Sequence, residues 1–158
     1  MNYRTHICGG FAIGTVTVAT LGISNLGIVE SGLLIGASLI GSLLPDIDKK
    51  GTYIYNRVPF IGWFAKMTGH RTLFHAPLIY TLLAIILGFL LGINPIIIGL
   101  YLGIMSHIVL DTFNYKGIPW LFPIFKKKFH LARIKAGGFT DTLVGVICFL
   151  LAIVVLFR

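Results

Sequence analysis

Five apolar runs, several of them as long as a bilayer is thick, recur along this chain and are separated by turns or by basic, aromatic stretches. They cover about Cys8 to Ile28, Ser31 to Leu44, Ala76 to Ile93, Pro95 to Phe113 and Thr140 to Phe157. A hydrocarbon core takes about 20 helical residues, with roughly 17 as a working minimum. Lipid offers the backbone no hydrogen-bond partners, so segments that cross it must be helical. Charged residues are 11% of the chain, against about a quarter in soluble proteins, and the mean hydropathy is +0.92. The expected fold is therefore an all-α integral membrane protein. It forms a single domain over residues 1–158, with about five transmembrane or partly spanning helices and two interfacial cytoplasmic loops. No small-residue cleavage site follows the first run, which reads as a retained helix rather than a secretory signal.

The second run is short, stopped by Pro45, and is expected to be a partial span. Its Gly32, Gly36, Ala37, Gly41 and Ser42 recur at small-xxx-small spacing, which suits close helix packing. Orientation follows from the basic residues. The turns around 24–31 and 92–94 carry none, whereas 46–75 carries Lys49, Lys50, Arg57, Lys66 and Arg71. Residues 114–139 carry Lys116, Lys126, Lys127, Lys128, Arg133 and Lys135. With five spans, both basic loops share a side with the N-terminus, and the positive-inside rule makes that side cytoplasmic. Their aromatic residues (Tyr53, Trp63, Trp120, Phe125 and others) suit the headgroup zone, so short interfacial helices are expected there. The 126–128 lysine run serves topology and can also attract anionic lipid headgroups. The net charge of +8 lies in these loops and no reader motif accompanies it, which argues against a nucleic-acid partner. Cys8 and Cys148 lie within apolar runs without CxxC spacing and read as packing residues.

Only five acidic residues occur: Glu30, Asp46, Asp48, Asp111 and Asp141. Four of these, all but Glu30, fall at the same end of the helices as His6, His70, His75 and His107. Ionisable groups inside apolar segments are costly to bury, which favours a functional role. His107 and Asp111 are at i and i+4 and share a helix face. His75 sits where Pro77 opens the third run, with His70 and Arg71 in the preceding turn. Asp46 and Asp48 follow Pro45 in a helix-stop turn, and Asp141 opens the last run, where capping is the plain alternative. His130, beside the lysines, reads as interfacial. Together His6, Asp46, Asp48, His70, His75, His107, Asp111 and Asp141 supply up to eight nitrogen and oxygen donors. Such a set suits a divalent transition metal, zinc first and manganese or ferrous iron next. One ion needs about four ligands including water, so the surplus favours two ions or one with a developed outer shell, within a range of one to three.

The motifs in order are Thr5-His6, Leu44-Pro45-Asp46-Ile47-Asp48, and His70-Arg71-Thr72-Leu73-Phe74-His75. Then come Ser106-His107-Ile108-Val109-Leu110-Asp111, Gly117-Ile118-Pro119-Trp120-Leu121-Phe122-Pro123, and Arg133-Ile134-Lys135-Ala136-Gly137 with Asp141. In this order and spacing the chain resembles the YdjM/YbcI-type inner-membrane, metal-dependent hydrolase family. The resemblance implies a bacterial cytoplasmic (inner) membrane location and a His/Asp centre similar to that of zinc-dependent phospholipases C. Lys49 stands where members often carry histidine, and Asp141 where they often carry glutamate.

The expected function is a membrane-bound hydrolase that cleaves a phosphoester of a lipid or amphiphile at the cytoplasmic leaflet. His6, Asp46, His75, His107 and Asp111 lead as ligands, followed by Asp48, His70 and Asp141. Arg71 would neutralise a phosphate oxygen, and Asp48 would be the second catalytic group. Membrane lipids, through anionic headgroups and a lipid-like phosphorylated substrate, are the expected partners. A metal or proton transporter is the first alternative, although transporters place such groups near the midplane and in repeats. A non-catalytic adaptor with a structural metal is the second.

Overall fold

The computed structural model describes residues 1–48, 55, 57 and 73–158, the side chains of Ile23, Ser24 and Asp48 excepted. Among these residues there are five α-helices and no β-strand: α1 (Tyr3–Leu21), α2 (Ile23–Gly41), α3 (Pro77–Leu91), α4 (Pro95–Thr112) and α5 (Phe139–Leu156). Short 3-10 turns at Leu44–Asp48 and Leu73–His75 end α2 and lead into α3.

Local chemistry explains these limits. Pro77 and Pro95 open α3 and α4, where a missing N–H costs nothing and φ is already helical. The Asn94 side chain accepts hydrogen bonds from Ile96 N and Ile97 N, both at 3.1 Å, satisfying two otherwise orphaned donors of α4. Gly22, with φ +82°, turns the chain between α1 and α2.

That glycine also shifts the first two helices from their expected limits. Apolar content alone runs on to Ile28, but the chain turns at Gly22, so α2 begins at Ile23 rather than Ser31; a kink at Gly27, with φ +73°, breaks it, and the unbroken helix starts at Ile28. The apolar stretch Asn25–Ile47, which includes the kink at Gly27 and the first residues of the 3-10 turn, is 23 residues long and by length and composition long enough to cross a membrane. It is α3, with 15 residues, that is short. Among the described residues, three stretches are long and apolar enough to span a membrane: Asn25–Ile47, Pro95–Thr112 and Phe139–Leu156. The 19-residue α1 is not among them, because its Gly9, Gly10, Gly14, Thr5, Thr15, Thr17, Thr20 and His6 dilute its apolar character.

Instead, α1 packs against α2, α4 and α5, and α4 packs against α1, α2 and α3. Backbone contact sets the α2–α4 distance. A Cβ at Gly99, Gly103 or Gly41 would run into the carbonyl oxygen of Leu34, Ser38 or Leu100 respectively. Between α1 and α2, Ser38 Oγ donates to the Gly10 carbonyl at 2.8 Å, and a Cβ at Gly10 would meet Ser42. Small residues let helices approach in this way where no water drives association. The contact face of α2 is therefore Leu34, Ala37, Ser38 and Gly41. Gly32 and Gly36, expected in the same seam, have nothing within 4 Å of a built Cβ.

The second basic loop differs from the interfacial helix expected there. Residues 114–138 contain no helix and fold back on the end of α4 through isolated bridges, Asn114 with Ile134 and Ile118 with Phe129. Gly117 with φ +63° and the prolines at 119 and 123 interrupt any helical run. Ile118 is fully buried against Ile104 and Ile108, with Leu44, Tyr80, Met105 and Trp120 around them. Trp120 Nε1 donates to Thr112 Oγ1 at 3.0 Å, so this aromatic residue braces the loop. Lys126, Lys127, Lys128, His130 and Phe125 remain exposed, as an interfacial position requires. In the first basic loop, Tyr53, Trp63 and the cations at 49, 50, 66 and 71 lie outside the described residues.

Candidate metal centre

His6 is one turn into α1, Asp46 is in the turn after α2, and His75 precedes α3. His107 and Asp111 occupy the last two turns of α4. In an antiparallel bundle these five positions lie at one end, and all five residues are buried, the three imidazoles completely.

Asp111 is at the centre. Its Oδ1 lies 3.5 Å from His6 Nε2, and its Oδ2 lies 3.8 Å from His75 Nε2 and 3.9 Å from His107 Nε2. The His6 and His107 rings stack with centroids 3.6 Å apart and 11° between planes, and His75 meets His107 edge-on at 5.4 Å. Donor atoms of His6, Asp46 and His107 all lie within 4.8 Å of one another, as do those of His75, His107 and Asp111.

The orientation of His107 has a backbone cause. Pro45 follows the end of α2 closely and the helix stops, so the Ser42 carbonyl loses its helical partner. His107 Nδ1 lies 2.7 Å from that oxygen. A carbonyl only accepts, so Nδ1 carries the proton and Nε2 presents its lone pair toward Asp111. Metal-binding imidazoles are commonly fixed through this outer contact. His107 Nε2 and both ring nitrogens of His6 make no hydrogen bond among the described residues. Burying unsatisfied polar atoms costs about 1–3 kcal/mol each unless another partner offsets it.

The separations suit a divalent ion. Two donors about 2.1 Å from a tetrahedral zinc ion are roughly 3.4 Å apart. The three nitrogen–oxygen distances of 3.5, 3.8 and 3.9 Å are near this value and exceed an ordinary hydrogen bond. The group also attracts positive charge, since the Met1 amino group lies against Asp111 Oδ1 with both atoms buried. Neither Met1 nor the Ser42 carbonyl was expected from sequence. No residue-type pattern marks a backbone carbonyl, and the only cue for Ser42 was its place before the helix-stopping proline.

Asp141 has a different position from the expected ligand role. It is fully buried in the first turn of α5, where Oδ2 accepts from Asn2 N at 2.8 Å and from Gly137 N at 2.7 Å. Its own carbonyl accepts from Thr5 Oγ1 at 3.2 Å. It thus ties the start of α1 to α5 and to the second basic loop, and it belongs to neither donor group. Its Oδ1 has no hydrogen-bond partner among the described residues. His70 and Arg71 lie outside the described residues, as does the side chain of Asp48.

Known proteins agree with this architecture at the level of family. Residues 1–158 match the family model described as YdjM inner membrane protein, and the chain belongs to that family. It is also similar to the uncharacterized protein YvsG of Bacillus subtilis (strain 168), with 30% identity over 145 residues, covering 91% of this chain and 87% of that protein. No solved structure matches it.

Proposed function

We propose that this member of the YdjM inner membrane protein family is a metal-dependent hydrolase that cleaves a phosphoester of a lipid or amphiphile at the cytoplasmic leaflet. The observation that carries the reading is the set of three buried imidazoles whose Nε2 atoms surround one carboxylate at 3.5–3.9 Å. Two overlapping donor groups could hold an ion: His6, Asp46 and His107, or His75, His107 and Asp111. With Nδ1 protonated, His107 has one lone pair and serves one ion only. The two groups share His107, so one ion would be held through it and any second ion by the remaining donors and water, zinc foremost and manganese or ferrous iron next. Bound ions would supply an activated water and stabilise the charge of phosphoryl displacement.

The protein's own residues would fix the geometry around such ions. Ser42 holds the His107 ring, and Asp141 anchors the start of α1 and with it the depth of His6. Arg71 would neutralise a phosphate oxygen of the substrate, with Asp48 as the second catalytic group and His70 as a further ligand. The lysines exposed at 126–128, with Phe125 and Phe129, support contact with anionic headgroups and a cytoplasmic orientation.

The deciding experiment compares the metal content of detergent-purified wild-type protein with that of His107→Ala, then measures phosphate release from phosphorylated lipids. Metal in the wild type, its loss in the variant and metal-dependent release support the reading. A folded wild type that takes up neither zinc nor manganese removes it. Burial of all five donors favours one other reading, a structural metal site in an adaptor. In that case chelation unfolds the protein, and no phosphorylated lipid is cleaved.

A further inference from the structure

Beside the centre, α1, α4 and α5 enclose a groove of about 400 Å³ that the site residues do not use. Its volume is within the roughly 300–1,000 Å³ of pockets that hold small molecules. Gly9, Ile13 and Val16 of α1 form the floor, Met105 and Val109 of α4 one wall, and Cys148 of α5 the other. The floor continues the helix stripe that carries His6, because positions 6, 9, 13 and 16 recur at three- and four-residue steps. On α4, Leu110 of the wall lies three residues, one turn, beyond His107. From residue 9 to 16 the floor runs about 10 Å along the helix axis, away from the loops.

Two of the three lining helices, α4 and α5, are long and apolar enough to cross a membrane. Ser106, the one hydroxyl in the lining, donates to the Gly103 carbonyl at 2.9 Å and is thereby satisfied within its own helix. Val109 and Leu151 are about half exposed at the groove mouth (43% and 49%), where the surrounding medium would be hydrocarbon. A polar ligand would find nothing to bond in this groove.

We infer that the groove binds one acyl chain of a membrane phospholipid whose phosphate reaches the His/Asp centre, so that the substrate is drawn laterally from the leaflet. This rests on the hydrolase reading above and narrows its substrate from a lipid or amphiphile to a phospholipid of the surrounding leaflet. A chain in the groove and a phosphate at the centre would be held along a single line down α1.

The test uses the full chain in a phosphatidylethanolamine and phosphatidylglycerol bilayer containing a phosphatidylglycerol with a photoactivatable group on its acyl chain. Labelled residues are mapped by mass spectrometry. Labelling should concentrate on Met105, Val109, Cys148 and Leu151 over the more exposed Leu82, Ile85 and Phe89 of α3. Cys148→Trp, or Val109→Trp from the other wall, should lower groove labelling about tenfold, because the indole fills the volume the chain occupies. Labelling spread evenly over all exposed apolar residues overturns the inference. If either tryptophan variant compromises folding, the wild-type distribution and the other variant still decide.

Labelling does not depend on metal or turnover, which separates the two failures. Cleavage of phosphorylated lipids with even labelling removes the groove and keeps the hydrolase. Concentrated labelling with no cleavage of any phosphorylated lipid removes the hydrolase, and overturns the groove's role toward a substrate with it.

Discussion

His107 donates its Nδ1 proton to the carbonyl oxygen of Ser42 across 2.7 Å, joining residues 65 apart in sequence. The contact satisfies the end of α2 and aims the other ring nitrogen at Asp111. His107→Ala should therefore act twice. Metal content should fall clearly, and the metal-free protein should lose about 1–3 kcal/mol because a buried carbonyl is left unpaired. Metal analysis and unfolding in detergent with chelator present read the two effects separately. Full metal content in the variant would exclude His107 as a ligand.

Zinc should raise the apparent unfolding temperature of chelator-treated wild-type protein. At a free concentration about 100 times the dissociation constant, a ligand that binds only the folded state adds about 2.7 kcal/mol. His75→Ala and Asp46→Asn should reduce that gain, whereas Cys148→Ala should not. An equal gain in all three proteins would place the ion elsewhere.

Gly103→Ala puts a methyl group into the Ser38 carbonyl. Overpacking of this kind costs about 1–3 kcal/mol, and thermal unfolding in detergent should show it. Gly36→Ala, where the new methyl meets nothing within 4 Å, should be neutral or stabilising by up to about 1 kcal/mol through helix propensity. Equal effects of the two substitutions would contradict the packing face assigned to α2.

Asp141→Ala strips an acceptor from the backbone N–H groups of Asn2 and Gly137. A loss of about 1–3 kcal/mol is expected, with metal stoichiometry unchanged at a temperature where the variant is folded. Loss of metal at unchanged stability would instead make Asp141 a ligand.

Orientation can be read by labelling. In a Cys8→Ser, Cys148→Ser background, Lys127→Cys should react with an impermeant maleimide in inverted inner-membrane vesicles and stay protected in intact cells permeable only at the outer membrane. The opposite pattern would reverse the topology argued from the basic loops.

Hydropathy and the few carboxylates sufficed to expect five helices and one polar end, because both signals are local in sequence. His6, Asp46, His75, His107 and Asp111, the leading ligand candidates, do lie together. Burying ionisable groups in an apolar chain is costly enough to make their company informative. What was misread depended on geometry that residue types do not encode. The positive φ of Gly22 moved the start of α2, and the packing face of α2 lay to one side of Gly32 and Gly36. In the second basic loop, Ile118 was drawn into the core and Trp120 into a hydrogen bond with Thr112. Asp141 was weighed as a cap or a ligand. It holds the backbone of α1 from another helix, a contact between residues 139 positions apart that no local pattern signals.

The five donors come from four separate stretches of chain, around residues 6, 46, 75 and 107–111, each carried by a different helix or its adjoining turn. A fragment lacking α4 contains neither donor group complete, and one lacking α1 contains only the His75, His107 and Asp111 group. A nascent chain would acquire the centre only once its first helix, too polar to be held by lipid alone, had been enclosed by α2, α4 and α5. Possession of the centre is therefore a certificate of assembly, issued only to chains in which the first four helices have found their places.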